Sequence, residues 1–259
     1  MKRTKDRAAT GRGAQTRSQR PEARSSSRWS PLLPLLLVVV TLIAYQPVWN
    51  AGFIWDDDDY VTQNPTLRDL NGLRRIWFEV GAVPQYYPMV HTVFWVEQHV
   101  WGFWAPGYHM VNLLLHALAA ILLARVLSRL KVPGAWLAAF IFALHPVGVE
   151  SAAWITELKN VLSTVFYLAA ALTYWRFEAA RDDGGPSSHA WRAYAGAFAL
   201  FLAALLSKTV TTSLPAALLL TRWWRRGELR SVLALPVTSL GLIASSPQPR
   251  SNRPSSTPR

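Results

Sequence analysis

From Trp29 to Ile54 the sequence holds no charged residue and is mostly apolar. A basic tail precedes this run, and four consecutive aspartates, Asp56–Asp59, follow it. About 20 apolar residues suffice to cross the hydrocarbon core of a bilayer, where backbone polar groups must be bonded internally. The run therefore predicts a membrane helix entered from a positive side. It delivers the aspartates, framed by Trp55 and Tyr60, to the far surface.

The rest of the composition agrees. Hydrophobic residues make up 51% of the chain and charged residues 16%, with 13 tryptophans, which is the profile of a polytopic membrane protein. With no cysteine, disulfides and thiolate metal sites are excluded. The net charge of +12 does not point to nucleic acid, because the basic residues gather at the ends of apolar spans.

Residues 1–29, rich in Arg, Ser and Gly, read as a disordered, uncleaved cytoplasmic tail. Beyond the first span, further charge-poor segments run over His109–Ala124, Val132–Val149, Asn160–Trp175, Ala193–Ser207 and Thr209–Thr221. With the N-terminus inside, the basic clusters at 125–131, 176–192 and 222–230 all fall inside. The Asp56–Asp59 loop, Glu150 and Glu157 fall outside, as the positive-inside rule requires. This predicts six spans in a bacterial-type plasma (inner) membrane, with Lys208 separating the fifth from the sixth. A seventh candidate, Ser231–Ala244, contains Pro236 and Gly241 and runs into a Ser/Pro/Arg-rich tail, 245–259, expected to be disordered. A membrane domain that dissolves in this way reads as a truncated or frame-shifted reading frame.

The first outer loop, 49–108, is long and aromatic, with Trp77, Trp95, Trp101 and Trp104 at the depth expected of headgroups. Its Thr92–Trp104 stretch reads as an interfacial helix. Loops of this length are functional or disordered, and the aromatic content favours function.

Several side chains invite chemistry. A carboxylate accepts a proton from a hydroxyl nucleophile, so Asp56–Asp59 is a source for a general base. Read blandly, it is a solvated acidic loop or a loose divalent-cation site, and the residues alone leave these readings open. His145-Pro146 and Glu150 close the third span, where Pro146 must end or kink the helix and polar groups sit comfortably among headgroups. Lys159 and Lys208 lie at outer span ends, as snorkelling predicts. Facing the acidic loop, they would also attract a phosphate. His109, Asn112 and His116 lie at i, i+3 and i+7, on one helix face, and predict hydrogen bonds between helices rather than a metal site.

The ordered motifs Phe53-Ile-Trp-Asp-Asp57, Asn64-Pro65, Gly107-Tyr-His-Met-Val-Asn112 and Phe142-Ala-Leu-His-Pro146 are followed by Glu157-Leu-Lys-Asn160 and Leu206-Ser-Lys208. Together they resemble the transmembrane and tetratricopeptide-repeat O-mannosyltransferase-like proteins, most of all the bacterial branch, over about residues 33–230. The resemblance implies an all-α, GT-C-like helical bundle over residues 30–244, incomplete relative to the family, which continues into further helices and helical repeats. It implies transfer of a sugar from a polyprenyl-phosphate donor to a hydroxyl, a protein Ser or Thr, on the extracytoplasmic face. The catalytic pair falls on Asp56 and Asp57; His145, Glu150, Lys159 and Lys208 would then bind substrate. Tyr87 stands where many relatives carry arginine. The rival class is a non-catalytic or truncated multi-pass scaffold. A transporter would need charged or interrupted spans near the midplane, and these spans carry few such groups.

Overall fold

A computed structural model describes residues 31–182 and 188–226. The tails 1–29 and 245–259 and the candidate seventh span lie outside the described residues. Among the described residues every regular element is helical. The helices are α1 Leu32–Ala44, α2 Leu70–Phe78, α3 Pro88–Trp101, α4 Ala105–Arg129, α5 Ala135–Leu144, α6 Val149–Ala153, α7 Leu158–Asp182, α8 Ser188–Leu205 and α9 Leu214–Arg226.

Two stretches, Ala105–Arg129 and Ile155–Asp182, are long and apolar enough to cross a bilayer. The pair Ala135–Leu144 and Pro146–Ala153, bent by 56°, makes a third if counted as one span. The bend falls at Pro146, which cannot continue the backbone ladder of α5. The first predicted span is shorter than its charge-free run. Its α-helix stops after 13 residues, and a 3-10 turn over Gln46–Asn50 takes over around Pro47. Lys208 separates α8 from α9, with a 3-10 turn over Thr209–Ser213 between them.

The polar face of α4 bonds outward as its spacing predicts. His109 Nδ1 meets the Ala153 carbonyl at 2.9 Å, Asn112 Nδ2 donates to the Trp154 carbonyl at 2.9 Å, and His116 Nε2 meets the Ala143 carbonyl at 3.1 Å. These three bonds hold the end of α5 and the chain from there to α7 against α4. They satisfy carbonyls that the broken helix leaves open.

The loop between α1 and α4 folds onto the same corner. Asp69 caps α2 by accepting from the Gly72 N–H at 2.6 Å. Tyr60, Val61, Leu67, Ile76 and Phe94 form one buried cluster with Tyr108 of α4 and Ile155 of the α7 approach. Full burial of each large side chain contributes roughly 1.5–3 kcal/mol. Gly107 lies under Trp101, whose ring carbons would stand 2.6 Å from an added Cβ. A bond from the Met89 N–H to the Leu206 carbonyl, 3.3 Å, joins the start of α3 to the end of α8. The loop thus reaches the Lys208 corner.

Candidate active site

The four aspartates do not share one environment. Asp57 is fully buried, whereas Asp56, Asp58 and Asp59 are exposed. Asp57 Oδ2 accepts from the Ile54 N–H at 2.9 Å. Its Oδ1 accepts from the Thr156 N–H at 2.9 Å and from the Thr156 hydroxyl. Burial pushes its pKa up, opposed by the Thr156 hydroxyl and by the Ile54 and Thr156 N–H groups. With both oxygens occupied by backbone and hydroxyl donors, Asp57 is a clamp. It ties the acidic turn to a residue 99 positions later, and leaves Asp56 beside it with a carboxylate open to solvent.

Asp58 turns to Thr62, whose hydroxyl donates to its Oδ1 at 2.6 Å. The cluster therefore splays instead of converging. Among the described residues no three His, Asp or Glu side chains gather into a set that would hold a metal ion. The divalent-cation reading of Asp56–Asp59 finds no support in this donor geometry.

Tyr60 links the turn to the lysines. It is buried, and burial together with the nearby charge of Asp56 raises its hydroxyl pKa to about 12. The Lys159 ammonium stands 5.5 Å from its ring centroid. Lys159 also pairs with Glu157 at 2.9 Å. Glu157 in turn accepts from Asn160 Nδ2, which also donates to Ser151 Oγ at 3.0 Å. The Asn160 side-chain oxygen accepts from Lys208 Nζ. Lys159 thus has a carboxylate partner, while the contact of Lys208 is a neutral amide.

Lys208 stands at a cavity of about 710 Å³ between α4, α5 and α7. Its polar lining includes His145, Asn160 and Lys208 with His116, Ser163 and Thr164, and Ile141, Phe142, Val161 and Val210 form much of its apolar wall. His145 is exposed, and its Nδ1 accepts from the Val147 N–H at 3.2 Å. The structure therefore brings His145 and Lys208 to one cavity and joins Lys159 to it through Glu157 and Asn160. Glu150 is exposed on α6 and does not line the cavity. Thr156, Asn160 and Ser151 were not singled out from the sequence. Thr156 and Ser151 carry no signal there, and Asn160 was visible only as the last residue of the Glu157–Asn160 motif.

The loop holds two further buried ionisable groups. His91 is fully buried and stacks on Tyr60 at 5.2 Å. Burial lowers its pKa to about 4, opposed by the Gln85 backbone. Glu97 on α3 is buried with neither oxygen hydrogen-bonded, and burial raises its pKa well above the usual carboxylate range.

Similarity to known proteins converges on one group. Protein O-mannosyl-transferase Tmtc1 of Drosophila melanogaster is 30% identical over 188 residues, covering 68% of this chain and 21% of the relative. Protein O-mannosyl-transferase Tmtc2 of the same organism is 29% identical over 189 residues, covering 68% and 20%. Protein O-mannosyl-transferase TMTC4 of Homo sapiens is 25% identical over 183 residues, covering 61% and 25%. The chain spans a quarter or less of the length of these relatives. No family model matches it, and no solved structure does.

Proposed function

We propose that this chain, a homologue of part of the protein O-mannosyl-transferases, carries a glycosyl-transfer site in a membrane. Its substrates are a polyprenyl-phosphate sugar and a protein Ser or Thr hydroxyl, met on the extracytoplasmic face. The observation that carries this reading is Lys208. A cation whose contact is a neutral amide, lining a largely apolar cavity, suits a ligand with an anionic head and a hydrocarbon tail. The relatives' names make mannose the sugar to test first. The topology proposed with this reading keeps the N-terminus inside a plasma membrane, six spans, and α3 lying in the interface.

In this mechanism Asp56 takes the proton from the acceptor hydroxyl as its oxygen attacks the anomeric carbon. The bond from that carbon to the phosphate oxygen breaks, and the electron pair leaves with the polyprenyl phosphate. Lys208 meets the leaving charge, with His145 at the same cavity and Lys159 behind it through Asn160. Asp57 has no part in proton transfer: it holds the turn that presents Asp56. Glu150 is left as a solvated surface carboxylate.

Donor binding tests this directly. The chain in lipid nanodiscs should bind polyprenyl-phosphate mannose, and neutral polyprenol much less. Lys208→Met should weaken donor binding about tenfold or more, as loss of a charged hydrogen bond of roughly 1.5–3 kcal/mol predicts. Equal binding of phosphate and alcohol would end this reading.

A further inference from the structure

We propose that Trp55 and Trp154 form a stacking platform for a pyranose ring beside Asp56. Trp55 has φ 49°, in the left-handed region, where a bulky side chain is unfavourable and glycine is the usual occupant. The cause is the clamp. Asp57 donates its N–H to the Ile54 carbonyl at 3.0 Å while its own carboxylate accepts from the Ile54 N–H at 2.9 Å, so the turn closes from both sides around Trp55. The strained backbone turns the indole outward, and Trp55 is 78% exposed.

Its ring is not isolated. The Trp154 ring lies 5.3 Å away at 80°, edge to face. Trp154 is two residues before Thr156, so the bonds that pin Asp57 also fix the spacing of the two indoles. The Trp154 Nε1–H is hidden from solvent and has no acceptor, so Trp154 offers its ring rather than its N–H to the Trp55 side. An open indole face with the exposed Asp56 carboxylate next to it matches the C–H face and a hydroxyl of one sugar ring.

An aromatic that merely anchors the chain in headgroups needs none of this. Phe78 and Trp104 are also exposed, at 81% and 56%, yet sit on ordinary backbone. Among the described residues only Trp55 and Lys131 hold a non-glycine positive φ. Strain of this kind persists where surrounding structure enforces it, and it concentrates at ligand sites.

The inference rests on the reading of Asp56 as the base, since the stacked ring is that of the sugar being transferred. Its test does not need transfer. Saturation-transfer NMR with methyl α-mannopyranoside as the probe, on the chain in lipid nanodiscs, should show saturation of the ring C–H protons. Trp55→Leu keeps an apolar side chain but removes the π face, and should lower that saturation about three- to tenfold, in the range of an aromatic contact. Trp55→Phe should keep most of it. Trp55→Gly relieves the backbone strain, and should lose saturation while unfolding at no lower temperature than the parent. Asp56→Asn should lower transfer about 10²–10⁴-fold but the saturation far less than Trp55→Leu does, so loss of the catalytic reading and loss of the platform are told apart. An equal signal from parent, Leu and Gly variants, or none from the parent, would overturn the platform and leave Trp55 as a membrane anchor.

Discussion

The acidic turn and the lysine corner handle charge in opposite ways. At the turn, Asp57 is fully buried and both its oxygens are occupied by donors from Ile54 and Thr156. At the corner, Lys208 gives one of its three donor positions to an amide oxygen and stands at a cavity. A charge whose hydrogen-bonding capacity is filled by its own chain holds structure. A charge left with capacity beside open space is available to a ligand. Asp56 belongs with Lys208 in this respect, although it is bonded in sequence to Asp57.

The sharpest way to break that division is at the two adjacent aspartates. Asp56→Asn should leave folding intact and lower sugar transfer about 10²–10⁴-fold, the usual cost of losing a general base. Transfer would be followed on a Ser/Thr peptide in a protein that retains this site and its downstream helices. A loss confined to Asp57, with Asp56→Asn fully active, would reverse the assignment.

The buried groups under the turn give the next effect. The folded His91 pKa is lowered to about 4 from an ordinary 6.5. Its stabilising contribution is therefore present above pH 6.5 and lost as pH falls from there toward 4, because the unfolded chain takes up the proton and the folded one does not. The total is roughly 3 kcal/mol. Thermal unfolding in detergent at pH 7 and pH 4.5 should show this loss, and His91→Phe should remove much of the dependence. Coincident profiles for parent and variant would show that His91 is not sealed under the turn.

Asp57→Asn should come after it in size. Asparagine keeps an oxygen for Thr156 but turns an NH₂ toward the Ile54 N–H, so one donor loses its acceptor. A loss of about 1–3 kcal/mol in stability is expected, read as a lower unfolding temperature. Some activity would fall as well, through displacement of Asp56. Rescue of that activity at low temperature would mark Asp57 as a positioning residue.

The sequence revealed features whose cause is local and hid those whose cause is distant. The bend at Pro146, the break at Lys208 and the bonding face of His109, Asn112 and His116 follow from one residue type or one helical period. What distinguishes Asp57 from Asp56 is Thr156, 99 residues on, and no pattern within a run of four aspartates points to it. The expected length of the first span failed for a related reason: charge-free sequence allows a helix, but Pro47 and the 3-10 turn at Gln46–Asn50 end its α-helical part early. Lys159 and Lys208 looked equivalent in sequence. Their partners, Glu157 for one and the Asn160 amide for the other, separate them.

That separation carries the smallest effect and the finest test. Lys159 and Glu157 have side chains 13% and 12% exposed, a largely sheltered pair whose loss falls between a surface and a buried ion pair. Lys159→Met keeps the apolar stem near Tyr60, and Glu157 still accepts from Asn160. A stability loss of about 1 kcal/mol is therefore expected. The donor affinity should fall only about two- to threefold, since Lys159 acts on the cavity through Asn160 and its charge is already met by Glu157. Lys208→Met should reverse the ranking, with little change in unfolding and the larger loss of donor binding. Measuring both variants for unfolding temperature and for polyprenyl-phosphate mannose binding gives four numbers. If Lys159→Met weakens the donor more than Lys208→Met does, the anion site lies at Tyr60 and the acidic turn, and the cavity beside Lys208 is not where the phosphate sits.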